Sequence, residues 1–313
     1  MPFDEIDKNT DDYYTVNLPE SEWTNINRWF GTNVSMTSMV LTEWNKIRKT
    51  IEKGPRKSIK LGVSSLDVMT GGLCPGEVMY IGHVDEKTNT AFSLNIVNGF
   101  GINNKKRLLI FNSGRGEYAY ARKLISLKAD VDEFNLKVCE LLSLDEIERI
   151  ENAITDIQNS DISVVNTPFI SVESICDEIH KLDETNKPEL ILIDNLHFVT
   201  TQRKCKNKMQ EYRVVSNKLW KLAKDTRIPI VITGPISKKR RSMKDYWPTA
   251  LDMPAENMLD NFDKILMVHR DENTELLNIS SIKNNDGDYG YRKIKHLPDT
   301  NRLEEIIDQK AVS

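Results

Sequence analysis

The stretch EVMYIGHVDEKTNTAFSLNIV (77–97) decides the fold of this chain. Its first six residues (77–82) form a short apolar run that ends at Gly82, and such a run predicts a buried strand. The helical pattern that follows, around 90–100, begins soon after this strand. A buried strand that leads directly into a helix is the first half of a β-α-β unit. The stretch therefore predicts an α/β fold with a parallel sheet.

The following part of the chain repeats this alternation of strand and helix. Buried strands are predicted by the apolar runs RLLIFN (107–112), ISVVN (162–166), ELILID (189–194) and IPIVITG (228–234). Helical patterns lie around 117–129, 144–158, 171–184 and 208–225. After residue 262 the runs KILMVHR, LLNISSI and YRKIKHL follow one another without helices between them. These three runs predict an antiparallel continuation of a mostly parallel central sheet.

Two segments precede this region. Residues 1–35 carry several aromatic residues without a clear period, and we interpret them as an N-terminal arm that either packs on its own domain or docks on a partner. The pattern SMVLTEWNKIRKTIEK (38–53) places apolar residues on one helical face, and GPRKS then breaks the helix. We therefore expect an arm (1–35), a linker helix (36–57) and a core domain (58–313).

Composition restricts the class of protein. The chain has 313 residues, of which 39% are hydrophobic and 29% charged, as in soluble globular proteins. The formal net charge is -4, so any nucleic-acid contact must come from local basic clusters. No apolar run approaches the ~20 residues of a membrane span, and the acidic N-terminus does not resemble a signal peptide. The four cysteines form no C-x-x-C pair, so we expect a reducing cytoplasm and no zinc site.

The segment after Gly82 occupies the place of a phosphate-binding loop. In the pattern G-x-x-x-x-G-K-[ST], backbone N–H groups surround the phosphates and the lysine reaches the β and γ phosphates. Here Lys87 and Thr88 follow Gly82, but the glycine before the lysine is missing. Asp85 and Glu86 place two carboxylates where a phosphate would approach, and like charges oppose binding. The pattern indicates a nucleotide site that is damaged.

A second nucleotide-site candidate is Asp194, which ends the apolar run ELILID. An acid at the end of such a strand holds Mg²⁺ directly or through water in nucleotide-binding proteins. Because many parallel strands end in Asp, the signal gains weight from its position three strands after the loop.

Several of these motifs, taken in order, resemble the C-terminal ATPase domain of the bacterial and phage replicative helicases of the DnaB type. The resemblance covers residues 38 to 305 and rests on GVSSLDVMTGGLCPGEVMYIG, TAFSLNI, ILIDNLHF, MQEYRVVSNKLWKLAKDTRIPIVIT, FDKILMVHRDE and IKNNDGDYG. It implies a RecA-like P-loop core, preceded by a linker helix that in this family packs on the neighbouring subunit of a ring. It also implies a phage-like setting in DNA replication.

Within this resemblance the phosphate-binding loop is degenerate. Aligned without gaps through TAFSLNI, the lysine of the family's loop becomes Asn89, and Thr90 keeps the hydroxyl that binds magnesium. If nucleotide binds, Thr90 and Asp194 are therefore the expected magnesium ligands. An alternative register lets Lys87 serve as the lysine. It needs a two-residue insertion that turns the apolar helix face by about 200°, so we prefer the ungapped register.

Three further family positions carry the wrong residue type. The glutamate that activates water corresponds to Gly114, with Glu117 three residues on, and the glutamine after the strand at 228–234 corresponds to Pro235. The arginine that acts on a neighbouring subunit's nucleotide corresponds to Asn285, although Lys283 is retained. Loss of such an arginine alone typically costs ~10³–10⁵ in rate. We therefore expect little or no hydrolysis, with ATP and Mg²⁺ as the cofactors if the site is competent and none otherwise.

Two basic loops are candidates for nucleic-acid contact. In the family the loops at these places face the central channel and grip single-stranded DNA, and rows of cations neutralise phosphates. A solvated surface loop is the alternative interpretation. The candidate residues are Arg203, Lys204, Lys206 and Lys208 in the first loop and Lys238, Lys239, Arg240, Arg241 and Lys244 in the second.

Three functional hypotheses follow. The first is a pseudo-helicase that binds or regulates a DnaB-type helicase or another replication protein. The second is a divergent but active ATP-dependent 5′→3′ DNA helicase that uses Lys87 and Glu117. The third is a nucleic-acid-binding scaffold without ATPase activity. The expected partners are single-stranded DNA, a replicative helicase or further copies of this chain in a ring, and no membrane.

Overall fold

A computed structural model describes residues 35–53, 58–112, 116–237, 246–270, 274–285 and 290–306. The chain divides into two units, Met1–Arg56 and Lys57–Ser313, and each is described by itself. The first unit contains helix α1 (Met36–Lys53), which confirms the helix predicted at this place. The predicted arm, apart from Ser35, and residues 54–57 lie outside the described residues.

The second unit alternates strands and helices as predicted. Its helices are α2 (Ser64–Thr70), α3 (Glu86–Ile96), α4 (Glu117–Ala129), α5 (Leu144–Gln158), α6 (Val172–His180) and α7 (Lys208–Thr226). Its strands are β1 (Val78–His83), β2 (Leu108–Asn112), β3 (Ile162–Asn166), β4 (Leu190–Asp194), β5 (Ile230–Pro235), β6 (Lys264–Arg270), β7 (Leu276–Asn284), β8 (Tyr291–Leu297) and β9 (Arg302–Glu305). A π-helix, Val97–Asn103, continues α3. None of the described helices is long and apolar enough to cross a bilayer.

The strands form one sheet in the order β3-β2-β4-β5-β1-β6-β7-β8-β9. Strands β1 to β6 pair in parallel, and β7, β8 and β9 extend the sheet antiparallel. The prediction that β6 belongs to the antiparallel extension is wrong, because β6 pairs in parallel with β1. β5 and β6 run in the same direction, so the chain between them returns to the end of the sheet at which β1 begins. The described residues of this connection contain only short 3-10 turns, Ala250–Asp252 and Glu256–Asn261, and no long helix that would have marked the crossover in the sequence.

Side chains on the two sides of the sheet form two separate cores. β1, β4 and β5 are buried on both faces, apart from the last residue of β5, which explains their continuous apolar sequences. Helices α2, α3 and α4 contribute Leu66, Phe92 and Leu124 to one core. Helices α6 and α7 contribute Ile175 and Leu219 to the other. The three-layer arrangement brings the carboxyl ends of the parallel strands to one edge, where α3 begins.

A buried lysine connects the sheet to the segment that leads into it. Lys264, at the start of β6, is 1% exposed. Its ammonium donates to the carbonyl oxygens of Thr70 at 3.0 Å and Gly72 at 2.7 Å, at the end of α2. It also pairs with the Glu77 carboxylate at 3.2 Å. These partners satisfy all three donors of the ammonium group, which is the condition for burying a charge.

Replacing Lys264 should therefore destabilise the core. We expect Lys264→Met to lower the free energy of unfolding by about 3–5 kcal/mol, because it leaves a buried carboxylate without its cation. Chemical denaturation measures this loss. The matched control is Lys60→Met, since exposed Lys60 donates to the Gly71 carbonyl at 3.0 Å in the same turn. Equal effects of the two substitutions would contradict a special role for the buried ammonium.

Candidate nucleotide site and basic loop

The connection from β1 to α3 forms the centre of the candidate site. Gly82 lies in β1, where neighbouring side chains leave no room for a Cβ atom. An added Cβ would lie 2.5 Å from Ile236 Cγ2 and 3.1 Å from Tyr80 Cε1. The Tyr80 hydroxyl in turn donates to the Pro235 carbonyl at 2.6 Å. Gly82 therefore serves the close packing of β1 against the segment after β5.

The first turn of α3 is closed by Asp85. The Asp85 carboxylate accepts the Thr88 backbone N–H at 2.8 Å and the Thr88 hydroxyl at 2.6 Å. Burial raises the pKa of Asp85, but the hydrogen bonds from Thr88 and the charge of Arg270 outweigh burial, so the pKa lies below its usual value. An ionised carboxylate thus sits at a helix N-terminus, where backbone amides and the helix dipole favour an anion.

Two residues from the neighbouring strands complete this cluster. Arg270, at the end of β6, approaches the Asp85 carboxylate at 3.5 Å and donates to the Thr88 hydroxyl at 3.2 Å. Its Nη2 also lies 2.6 Å from Nδ1 of His296 on β8. Burial, together with the Arg270 charge, lowers the pKa of His296 to about 4, so the ring is neutral at pH 7 and Nδ1 accepts the hydrogen bond.

Asn89 and Asp194 make a direct contact behind this cluster. Asn89 Nδ2 donates to Asp194 Oδ1 at 2.5 Å, and both side chains are buried. The Thr233 hydroxyl, from β5, lies 3.4 Å from the same carboxylate oxygen. Because an ionised carboxylate only accepts hydrogen bonds, the NH₂ end of the Asn89 amide faces Asp194. The contact joins the first turn of α3 to the carboxyl end of β4.

Thr90 and Lys87 differ in exposure. Thr90 is buried, and its hydroxyl donates to the Glu86 carbonyl at 2.8 Å. Lys87 is exposed. Both line a cavity of about 440 Å³ that also includes Lys123, Glu133 and His296. The cavity therefore lies beside the helix, between α4 and the antiparallel strands.

The groups that a magnesium nucleotide would contact are hydrogen-bonded within the protein in the conformation observed. The first-turn N–H of Thr88, the Thr90 hydroxyl and the Asp194 carboxylate are the groups that phosphates and magnesium would need. Each is bonded within the protein, to Asp85, Glu86 and Asn89 respectively. Across the described residues, no group of three or more His, Cys, Asp or Glu side chains is arranged to hold a metal ion.

The positions expected to activate water are placed differently. Gly114 lies outside the described residues. Glu117 is the first residue of α4, and it accepts a long hydrogen bond from Asn166 at 3.5 Å. Pro235 ends β5 level with His83 of β1, so it does lie at the same edge as the α3 N-terminus.

The structure does not bring Lys283 and Asn285 to this edge. The end of β7 pairs with the start of β6, where Asn284 faces Lys264, and Lys264 is in turn level with Met79 near the start of β1. Lys283 donates to the Leu259 carbonyl at 3.0 Å, and the Asn285 N–H donates to the Asp263 carbonyl at 3.3 Å. Both residues therefore lie at the opposite end of the sheet from Gly82 and Asp194.

The first basic loop is anchored by an acid that the sequence analysis missed. Glu173, on α6, accepts hydrogen bonds from the Thr201 hydroxyl and the Lys218 ammonium, both at 2.6 Å, and from the Gln202 N–H at 3.1 Å. Burial raises the pKa of Glu173, and these hydrogen bonds lower it more strongly, to about 2. Glu173 remains ionised and holds the start of the loop against α6 and α7.

Three of the four predicted cations of the first loop are exposed and have no acidic neighbour in the sequence. Arg203 and Lys204 are exposed, and so is Lys206. Lys208 instead pairs with Glu211 at 2.6 Å and lies over the Tyr212 ring at 5.2 Å from its centroid. The predicted cations of the second loop (238–244) lie outside the described residues.

Comparison with known proteins identifies relatives of the core. A sequence model of the family described as "DnaB-like helicase C terminal domain" matches residues 58–305. The replicative DNA helicase DnaC of Bacillus subtilis (strain 168) is 23% identical over 272 residues, which cover 83% of this chain and 60% of the relative. DnaB of Buchnera aphidicola is 26% identical over 288 residues, covering 88% and 61%. The chain thus spans about three fifths of the length of these relatives.

Solved structures show the same architecture. One solved ATPase domain superposes with a TM-score of 0.74 at 18% identity, covering 88% of this chain and 100% of that one. A DnaB-like replicative helicase, solved in a study of its interactions with primase, gives a TM-score of 0.77 at 18% identity and covers 91% of this chain and 71% of that one. These likenesses confirm the predicted RecA-like fold class.

Proposed function

Because the chain belongs to the DnaB-like helicase C-terminal domain family, we propose that it acts in DNA replication as a catalytically impaired member that binds or regulates a replicative helicase, single-stranded DNA or both. The observation that carries this proposal is the hydrogen bond between Asn89 and Asp194. It supports the ungapped register, in which a neutral amide stands where the family resemblance implies a phosphate-binding lysine.

The substitution changes the electrostatics of the site. A lysine brings a positive charge to the β and γ phosphates, whereas an amide brings only a dipole. The Asn89 amide also occupies one oxygen of Asp194, the carboxylate expected to hold magnesium. A nucleotide would therefore have to displace this contact without a cation to replace it.

Asp85 adds a second obstacle. Its carboxylate already accepts the Thr88 N–H and faces Arg270, so the helix N-terminus holds an internal anion. A phosphate at the same place would meet a like charge at close range, which is unfavourable. Asp85 and Asn89 together support the proposal that hydrolysis is absent or very slow.

The position of Lys283 and Asn285 is compatible with the role in a ring or mixed complex that the family resemblance implies. These residues lie at the opposite end of the sheet from the nucleotide site of their own chain, so any action on a nucleotide would be at the site of a neighbouring subunit. Asn285 lacks the charge of the arginine that the resemblance implies there. A copy of this chain next to an active helicase subunit would therefore not supply the positive charge to that subunit's nucleotide. The loss of this charge would slow hydrolysis and so restrain the helicase.

A second candidate function is an active ATP-dependent 5′→3′ DNA helicase. Lys87 favours it, because this exposed lysine lines the 440 Å³ cavity together with Thr90. In this interpretation Lys87 replaces the missing lysine and Glu117 activates water, after rearrangement of the first turn of α3.

ATP hydrolysis separates the two candidates. We expect purified protein with Mg²⁺ to show no turnover above that of Asp194→Asn, with or without single-stranded DNA, because the phosphate site lacks its lysine. Turnover that DNA stimulates and that Lys87→Ala abolishes would contradict the impaired-enzyme proposal and establish the second candidate. Lys60→Ala, at an exposed lysine well before α3 in the chain, is the control for general effects of losing a surface charge.

The basic loop supports a proposed contact with single-stranded DNA that does not depend on hydrolysis. Arg203, Lys204 and Lys206 belong to a loop that Glu173 holds in place. A fixed row of cations neutralises phosphates at little entropic cost. If this contact is the main activity, the chain is a nucleic-acid-binding scaffold, which is the third hypothesis.

Replacing these three residues by alanine should weaken DNA binding in a salt-dependent way. We expect the slope of log affinity against log salt to fall by about 2, since single strands release ~0.7 ion per neutralised phosphate. The matched control replaces Lys137, Lys181 and Lys221, which are exposed elsewhere and remove the same charge. An unchanged slope in the loop variant, or an equal change in both variants, would contradict a phosphate contact at this loop.

A further inference from the structure

A pair of aromatic side chains, one exposed and one half-buried, lies at the antiparallel part of the sheet. Tyr291, the first residue of β8, is 70% exposed. The half-buried ring of Trp247 packs against it edge to face, with the ring centroids 5.1 Å apart. The Lys293 ammonium lies 5.7 Å from the Trp247 ring centroid. We call Trp247, Tyr291 and Lys293 the aromatic platform.

The strand register fixes the platform on one face of the sheet. Tyr291 faces Ser280 and Lys293 faces Asn278, so the two side chains lie on the same side of β8. Ile294 and His296, which lie on the other side of the strand, are buried. The platform therefore lies on the face opposite the Arg270–His296 contact.

The Trp247 side of the platform is held by its neighbours. The Tyr246 hydroxyl hydrogen-bonds the buried Asp252 carboxylate, and the Tyr246 ring packs edge to face on His269 at 5.5 Å. Pro248, on the other side of Trp247 in the chain, is buried. Trp247 is thus presented by an anchored segment, and the exposed ring of Tyr291 is placed beside it.

Lys293 supplies positive charge beside the platform. It is exposed on the same face of β8 as Tyr291, whereas Arg292 lies on the opposite face and Lys295 pairs with Glu275 at 3.1 Å. In sequence, the predicted second basic loop (238–244) is separated from Tyr246 and Trp247 by one acidic residue, Asp245. An exposed aromatic face beside a cation matches the chemistry of single-stranded nucleic acid, in which bases stack and phosphates pair with cations.

We infer that the aromatic platform stacks an unpaired base of single-stranded DNA, while Lys293 contacts an adjacent phosphate. Exposure alone does not distinguish Tyr291, since Tyr118 is also exposed; the edge-to-face contact with Trp247 and the Lys293 ammonium beside that ring do. The inference rests on the proposed contact with single-stranded DNA and adds to it a contact that requires the base itself.

The test compares binding of an oligothymidine with binding of an oligomer of the same length whose bases have been removed. Both carry the same phosphates, so a difference in affinity reports contacts to the bases, and the Tyr291 variants assign the stacking part of it. We expect the wild-type protein to bind oligothymidine about 5-fold to 150-fold more tightly, the range typical of stacking one base. Tyr291→Ala should remove this preference, and Tyr291→Phe should keep it. Tyr118→Ala, at a tyrosine 78% exposed on α4, is the matched control.

The outcomes separate the platform from the proposed function. Equal affinity of the wild-type protein for the two oligomers would overturn the platform and leave the phosphate contact of the basic loop standing. A loss of affinity in Tyr291→Ala that is equal for both oligomers would also overturn it, because the residue would then act through the fold. Failure to bind either oligomer would overturn the platform and the proposed DNA contact together. Capture of a protein partner at this surface without any preference for bases would count against the inference as well.

Discussion

The N–H groups in the first turn of helix α3, which follows the buried strand β1 closely, need an acceptor. In a nucleotide-binding site of this architecture the phosphates supply that acceptor. Here the Asp85 carboxylate supplies it from within the chain, and Thr88 contributes both its N–H and its hydroxyl. The position of Arg270 follows from this internal cap. With an anion already at the helix N-terminus, the neighbouring cation, Arg270, is drawn toward the protein's own carboxylate.

The sheet explains how distant segments meet at this cap. β1 lies between β5 and β6, so the end of the chain's first core strand is beside Pro235 on one side and the end of β6 on the other. The antiparallel extension then brings His296 against Arg270. Asn89, one residue after Thr88, contacts Asp194 at the end of β4. Parallel and antiparallel parts of the sheet both contribute to the contacts between side chains at the candidate nucleotide site.

Much of the fold could be predicted because the buried parallel strands have uninterrupted apolar sequences. The direction of β6 could not, since an apolar run does not indicate the strand with which it pairs, and no long helix marks the link from β5. Asn89 and Asp194 were expected in one nucleotide site from the family resemblance. Arg270 and Glu173 were missed because their partners are distant in sequence, and no local motif marks such pairs. For Glu173, an acid at the start of a helix suggests only helix stabilisation.

We propose that Asp85 and Asn89 close the nucleotide site. Calorimetric titration of Mg²⁺-ATP into the wild-type protein and into the double variant Asp85→Gly, Asn89→Lys tests it directly, without requiring hydrolysis. We predict that the wild-type dissociation constant lies above about 1 mM, equivalent to less than about 4 kcal/mol of binding. The double variant, with the internal anion removed and a lysine restored, should bind at least about tenfold more tightly, a difference of about 1.4 kcal/mol. Micromolar binding by the wild-type protein would contradict the claim.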